Sequence, residues 1–301
     1  MAAIGGIGGG GTRVVGGIVN ELGFEFAPDL NDALDTLWFT LLFKYRAAYN
    51  MPAERFCCLY EIFRTAMTGN ASNLLDSQLV NELLVAERSG QHPRDWLRMR
   101  LDSLNMTLRQ VNSPWGWKEP NTHIFLDKLL TIEPRLAYIH VVRNGLDMAF
   151  SSNQNQLRLW GPLVLGDQYE DSPSGSLRFW CWANERVLRI SEAHPGRVLM
   201  VSFEHLCRAP ERSIQRIAEF LLQDLTPDLL GRLAQHVNTP STVGRSALHS
   251  ADSFSSRLRS RASEIDALLE GAFAAYARRS GSAHARTGRL QPDTPNLQAV
   301  P

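Results

Sequence analysis

Two basic side chains stand where a short run of strand character ends. WGWKEP places Lys118 at the end of one run, and AYIHVVRNG places Arg143 at the end of another, Ala137 to Val142. In an open parallel sheet both ends emerge at the carboxyl edge, where ligands bind. A lysine and an arginine meeting there point to an anion, and to a phosphate first, because an arginine fork can grip a phosphate dianion with two hydrogen bonds. Asn144-Gly145 then breaks the strand and starts a helix, and Ser151 follows within the first two turns, able to add a hydroxyl. A second anion cradle lies at the start of the chain. AAIGGI leads into Gly8-Gly9-Gly10-Gly11-Thr12-Arg13, and Val14, Val15, Ile18, Val19 and Leu22 then recur at helical spacing. A glycine loop opening a helix lets backbone N–H groups approach a phosphate.

The bland alternatives are a flexible glycine-rich terminus and an Arg143 that merely pairs with Asp147. Two motif families fit poorly. After Gly6 to Gly11 come Thr12-Arg13 rather than the Lys-Ser/Thr of an ATPase loop. Gly6, Gly8 and Gly11 satisfy G-x-G-x-x-G, but no acidic residue stands at the end of a second strand about twenty positions on. For a general base, Glu119 beside Lys118 is the first candidate, His123 the second, and Asp29 and Asp32 the third. His140, inside the second strand run, reads as a core histidine. There is no metal-ligand cluster.

The elements that must position these groups read as α/β. Residues 2–7 form a weak strand, because glycine disfavours one. From Asn31 to Met106 the pattern is helical in four blocks, an insertion after the first strand–helix unit whose aromatics (Trp38, Phe39, Phe43, Phe56, Tyr60, Phe63) read as core. Residues 153–175 carry three glycines and two prolines and read as a long loop, a lid or substrate loop. SLRFWCWANERVLRISEAH is a helix, RVLMVSF a central strand, and PERSIQRIAEFLL, PDLLGRLAQHV and SEIDALLEGAFAAYA are helices. The expected domain is 1–280, with a disordered tail over 281–301. From Arg245 onward eight arginines face five acidic residues, a local excess that could help hold an anion but reads first as a solvated basic tail.

Lysine plus arginine and aspartate plus glutamate both number 31, so zero net charge disfavours a broad nucleic-acid surface while allowing a focused anion pocket. The four cysteines show no C-x-x-C spacing, which fits a reducing, cytoplasmic setting. No run of eighteen apolar residues and no basic signal-peptide start is present, so no membrane span is expected.

Taken in order, these pieces resemble the sulfotransferase family that uses 3′-phosphoadenosine 5′-phosphosulfate (PAPS). The strand–glycine loop–helix over 5–22 resembles the family's loop around the 5′-phosphosulfate. AYIHVVRNGLDMAFS resembles its 3′-phosphate segment, with Arg143 at the strand end and Ser151 eight positions later. RVLMVSFEHLCRAPERSIQRIAEFL is similar to its late strand–acidic–helix segment, and WGWKEP to the segment whose lysine faces the transferred group. The resemblance implies a P-loop-like α/β fold with a central parallel sheet, PAPS as donor and PAP as product. It also implies transfer of a sulfuryl group to a hydroxyl or amine of a small-molecule, carbohydrate or protein acceptor. It would place Gly9, Gly10, Gly11, Thr12, Arg13, Arg143 and Ser151 on the nucleotide, and Lys118, Glu119 and Arg13 at the chemistry. One departure stands out: the family's basic residue in the loop is Gly9 here, and its serine is Gly10, leaving Arg13 as the nearby cation. A PAP-binding protein without transfer activity and, on the weaker glycine match, a dinucleotide-dependent oxidoreductase are the alternatives.

Overall fold

The computed structural model describes residues 1–69, 75–106, 111, 114–250 and 253–284, with side chains to 274. In chain order the main elements are β1 (Ala2–Gly6), α1 (Thr12–Glu21), α2 (Leu37–Phe43), α3 (Ala53–Thr68), α4 (Ser77–Val85), α5 (Arg94–Asn105), β2 (Gly116–Lys118), α6 (Leu126–Ile132), β3 (Ala137–Val142), α7 (Gly145–Ala149), α8 (Asn155–Val164), α9 (Pro173–Ala193), β4 (Val198–Ser202), α10 (Phe203–Arg208), α11 (Pro210–Phe220), α12 (Pro227–Gln235) and α13 (Ser256–His284). Short 3₁₀ turns link several of them, including Pro120–Phe125 and Arg245–Leu248.

The sheet is wholly parallel with order β2-β1-β3-β4. This is the expected α/β arrangement, with helices on both faces and α2 to α5 inserted after the first strand–helix unit. The chain leaves β1 towards β2 and leaves β3 towards β4, in opposite directions. The crevice between the carboxyl ends of β1 and β3 is therefore the switch point at which such sheets bind ligands. The glycine loop leaves β1 at that point, and Arg143 ends β3 beside it.

Strand alternation divides the core. Ala2, Ile4, Ile139, Val141, Leu199 and Val201 pack with α1 and α11 on one face. Ala3, Trp117, Tyr138, Val142 and Met200 pack with α9 and the inserted helices on the other. The inserted aromatics are core residues, as expected: Trp38, Phe39, Phe43, Phe56 and Phe63 are at most 1% exposed, and Phe39 stacks on Trp117 at 6.0 Å between ring centroids. Small residues in β1 are required rather than merely tolerated. A Cβ on Gly5 would lie 2.5 Å from the Tyr138 hydroxyl, and one on Gly6 2.4 Å from the Val141 carbonyl oxygen.

RVLMVSF, expected as a central strand, forms β4 at the edge of the described sheet, paired with β3 alone, and three further sequence expectations are corrected. The pattern predicts helix from Asn31, but the first inserted helix begins at Leu37. The Asn31 side chain instead accepts from the amides of Ala33 (2.9 Å) and Asp35 (2.8 Å), and Leu34 turns into the left-handed region at φ 62°. Such local hydrogen bonds compete with the helix. The loop expected over 153–175 contains α8. Pro162 sits inside it, and the Arg158 carbonyl that its missing N–H would have bonded accepts from Arg46 (3.2 Å) and Ser89 (3.1 Å) instead. The last helix is longer than expected, running Ser256–His284, so it enters the stretch expected as tail; residues 285–301 lie outside the described residues. Among the described residues no helix is long and apolar enough to cross a membrane.

Candidate active site

The loop between β1 and α1 has the shape of an anion cradle. Gly10 donates to the Ile7 carbonyl at 2.9 Å, and Gly9 and Gly11 adopt φ of 87° and 96°, a region that glycine enters without penalty. Gly11 is also pressed against Phe203 of α10: an added Cβ would lie 2.1 Å from its ring. Among the described residues no group accepts from the amides of Gly8, Gly9 or Gly11. The first turn of α1 carries no acidic residue, and Thr12 is buried there. Partly free amides and the positive end of a helix thus stand together in one loop.

Arg143 reaches over this loop from the end of β3. Its side chain donates to the Gly9 carbonyl (Nη1, 3.3 Å) and to the Thr242 hydroxyl (Nη2, 3.0 Å), and lies over the Phe203 ring at 5.6 Å. It is 5% exposed, yet Nε has no partner, and among the described residues no carboxylate forms an ion pair with it. Asp147, the sequence alternative for its partner, is engaged elsewhere. Its two oxygens accept from the amides of Gly244 (2.6 Å) and Ser246 (2.9 Å) and fasten the 242–248 segment beside the loop. Burial and the neighbouring Arg245 lower the Arg143 pKa, with Asp147 and Glu204 opposing. A buried cation served only by a carbonyl and a hydroxyl is primed for an anion.

Ser151 joins the same wall. A Cβ on Gly9 would sit 3.5 Å from its hydroxyl oxygen, and one on Gly8 would sit 3.3 Å from the Asn153 side chain. Of the residues the sequence assigns to the nucleotide, Gly9, Gly10, Gly11, Thr12, Arg143 and Ser151 therefore converge, while Arg13 points outward from the first turn of α1 and is exposed. Thr242 and Arg245 complete the convergence; the sequence reading misses Thr242 and prefers a solvated tail for Arg245. Arg245 donates to the Thr242 and Phe150 carbonyls (3.1 and 3.4 Å), so its charge is held near Arg143 rather than in a solvated tail. The one signal available is Val243-Gly244-Arg245, a turn followed by a cation; Gly244 has φ 79°.

Lys118 takes a different position. Its stem runs beneath α1, where a Cβ on Gly16 would lie 3.2 Å from its Cγ, and the side chain is 2% exposed. The ammonium donates to the Ala33 carbonyl at 3.0 Å and forms an ion pair with Asp35, itself 20% exposed and held by the Asn31 amide at 3.0 Å. Asp35 is not among the sequence candidates, because its pairing depends on a turn that reads as helix.

The candidate bases divide by burial. Glu119 turns inward: it is 1% exposed, and its oxygens accept from the Asn121 backbone (2.6 Å) and side chain (2.8 Å) and from Thr40 (3.4 Å). Burial raises its pKa, against the pull of Lys44. The expectation that Glu119 faces the acceptor is accordingly revised. His123 is fully buried, its pKa is held well below the usual value by burial and by His140, and it bonds Gln156 at 3.3 Å. His140 is a core histidine, as expected, bonded to Tyr138 and Asn184 and pushed down to about 4 by burial. Asp29 pairs with Arg100 at 3.2 Å, and Asp32 is exposed.

The sulfotransferase family model matches residues 28–227. This chain belongs to the sulfotransferase family. The matched stretch includes Lys118, Arg143 and Ser151; the glycine loop precedes it, and Thr242 and Arg245 follow it. Among solved structures, the chain is similar to the sulfotransferase domain of the Synechococcus olefin synthase (16% identity, 90% of this chain and 93% of that one, TM-score 0.46). It is also similar to a sulfotransferase from Mycobacterium avium (16% identity, 87% and 75%, TM-score 0.43). A third is retinol dehydratase in complex with androsterone and inactive cofactor PAP (14% identity, 89% and 80%, TM-score 0.38). No curated protein matches.

Proposed function

We propose that this member of the sulfotransferase family moves a sulfuryl group from PAPS to an acceptor hydroxyl or amine. The observation that carries the reading is Arg143: a buried cation with no carboxylate partner among the described residues, at the sheet's switch point, facing a glycine loop with open amides. The residues fit a nucleotide with two separate phosphate groups. The loop amides and Thr12 would hold the 5′ side, and Arg143, Ser151 and Thr242, with the charge of Arg245, the 3′-phosphate. PAPS supplies the activated sulfuryl group when bound.

The chain's own residues then have three tasks. The cradle fixes the donor for in-line attack, a positioning effect. Lys118 neutralises charge that gathers on the departing phosphate as the bond from sulfur to the phosphate oxygen breaks and the bond to the acceptor atom forms. A single well-placed donor of this kind commonly contributes about 3 kcal/mol. Asp35, the partly exposed carboxylate beside Lys118, accepts the proton that the acceptor loses. It takes this role in place of Glu119, whose oxygens are already occupied.

One observation favours a second reading, a PAP-binding protein without turnover. The loop itself carries glycine at the family's basic position, and Lys118 is clasped by Asp35 and Ala33. The deciding experiment is PAP titration together with PAPS consumption over a panel of hydroxyl and amine acceptors, for wild type, Lys118→Ala, Arg13→Ala and Asp35→Asn. Binding with PAPS consumption that Lys118→Ala abolishes supports the transferase. Binding with no consumption by any protein supports the second reading. No PAP binding, with NADH binding instead, sinks both in favour of the dinucleotide alternative.

A further inference from the structure

A buried polar side chain on α8 reaches the root of the glycine loop. Gln156 is 5% exposed, and its Nε2 donates to the carbonyl of Gly6, the last residue of β1, at 3.1 Å. That contact spans 150 positions of sequence. Because the amide nitrogen is committed to a carbonyl, Oε1 must be the acceptor in its contact with His123 Nε2 (3.3 Å), so His123 carries its proton on Nε2. His123 is 0% exposed, and Arg186 donates to its backbone carbonyl at 2.6 Å, so the lower end of the clamp is fixed as well. Gly6 has no slack: its φ is 149°, and an added Cβ would meet the Val141 carbonyl.

The same helix carries the opposite wall of the cradle. Ser151 and Asn153 stand just before α8 and face Gly9 and Gly8. Gln154 binds that turn down, donating to the carbonyls of Met148 (3.2 Å) and Ser151 (2.8 Å). A hydrogen bond from the first turn of α8 to the root of the loop therefore fixes both sides of the cradle relative to each other. None of the catalytic roles proposed above uses it.

We propose that Gln156 is a positioning residue of the donor site: through the Gly6 carbonyl it registers the glycine loop against the Ser151–Asn153 turn. The inference rests on the reading that this loop holds the donor. Its test begins without any ligand. In Gln156→Met, which keeps the length and loses both hydrogen bonds, amide hydrogen exchange should quicken together in 7–12 and 151–154 while the rest of the sheet stays protected. Gln156→Glu adds a signature that plain loss of packing lacks. Its carboxylate faces the Gly6 carbonyl and repels it, whereas its protonated form has an O–H to donate. PAP affinity, referred to wild type at each pH, should fall at least tenfold at pH 8 and recover as pH drops. In Gln156→Met the loss should be independent of pH and appear in KM for PAPS more than in kcat. Unchanged exchange in both segments of Gln156→Met, or wild-type PAP affinity in both variants, overturns the clamp. If Gln156→Met does not fold, Gln156→Glu decides through its pH dependence, and a pH-independent loss there overturns the proposal. Coupled exchange in the two segments with no PAP binding by wild type keeps the clamp and discards the donor reading.

Discussion

Replacing Arg143 by methionine should separate folding from binding. In the free protein the guanidinium forms two hydrogen bonds, to the Gly9 carbonyl and the Thr242 hydroxyl. Bonds from a charged donor contribute about 1.5 kcal/mol each at the low end. Against them stand a buried Nε without a partner, at a cost of about 1–3 kcal/mol, and repulsion from Arg245. Methionine fills the stem's volume and needs no partner. The opposing contributions nearly cancel, so the free variant should differ from wild type by no more than about 1 kcal/mol, a change of roughly 2–4 °C in Tm for a domain of this size. Binding is another matter. Losing two charge-assisted bonds to a phosphate costs about 3 kcal/mol or more, which is a loss of affinity above about a hundredfold. The assay is thermal unfolding with and without PAP. At about 100 times its Kd, PAP should stabilise wild type by about 2.7 kcal/mol and leave Arg143→Met almost unmoved. A drop of about 3–5 kcal/mol in the free variant is what breaking a buried ion pair produces, and it would show that Arg143 is paired in the free protein. A PAP shift that survives the substitution would remove Arg143 from the site.

Asp35→Ala leaves the Lys118 ammonium buried with a single carbonyl partner, so it should destabilise by about 3 kcal/mol, read from urea midpoints; Lys118→Met/Asp35→Ala together should recover most of that loss. Gly11→Ala combines a φ of 96° with a 2.1 Å approach to the Phe203 ring and should lose about 2 kcal/mol or more and all PAP binding, whereas Gly17→Ala, with open space around it, should be neutral or stabilising. The free protein should weaken on acidification from pH 6.5 to 4. His140 is pushed down to about 4 by burial, so in that window the unfolded chain takes up the proton and the folded one does not, a loss of up to about 3 kcal/mol to which His123 adds with the same sign. Asp266 opposes it, as does Glu119, whose pKa burial also raises: burial and the nearby Glu204 and Glu270 push Asp266 up to about 6, so the folded chain holds its proton longer and gains stability as pH falls, by about 1 kcal/mol after solvent screening. Urea midpoints at pH 7, 5.5 and 4.5 read the balance, and His140→Gln should flatten the profile.

A residue is legible in the sequence when it acts through its own place in a local pattern. Ala137–Val142 is apolar apart from His140 because β3 is covered on both faces, and Arg143 comes directly after it, where the strand meets the crevice. The glycine loop announces itself because positive φ and close approach to Phe203 demand glycine whatever the ligand. β1 is readable only through the glycine loop and helix on its carboxyl side, since Ala2–Gly6 has little strand propensity and is held as a strand by parallel pairing with β2 and β3 on either side, while Tyr138 and Val141 leave no room for side chains at Gly5 and Gly6. The residues that escape are those whose role is a distant contact. Gln156 lies in a stretch whose Gly161 and Pro162 read as loop, and the helix there buries Leu157, Leu159 and Trp160 while Arg46 and Ser89 satisfy the Arg158 carbonyl that Pro162 cannot. Arg245 reads as part of a basic tail because nothing near it in sequence reveals that Asp147 fastens the Gly244 and Ser246 amides.

Lys118 shows the limit most clearly, and it shapes the chemistry. Its position at the end of a strand run is legible, and the anion it would serve is inferred from that alone. Its partner is not legible, because Asn31 folds the start of the insertion into a turn and delivers Asp35 to the ammonium. A lysine at a strand end with no partner would be a fixed electrostatic donor. A lysine clasped by a carboxylate at the mouth of the insertion is part of a unit with it, and the proton accepted by Asp35 and the charge met by Lys118 then fall to a single ion pair. The insertion, which reads as core, therefore contributes to the proposed chemistry through its first turn. In the proposed chemistry the acceptor and the donor are served by segments that the sequence keeps far apart, the Asn31–Asp35 turn that holds Lys118 and the glycine loop after β1.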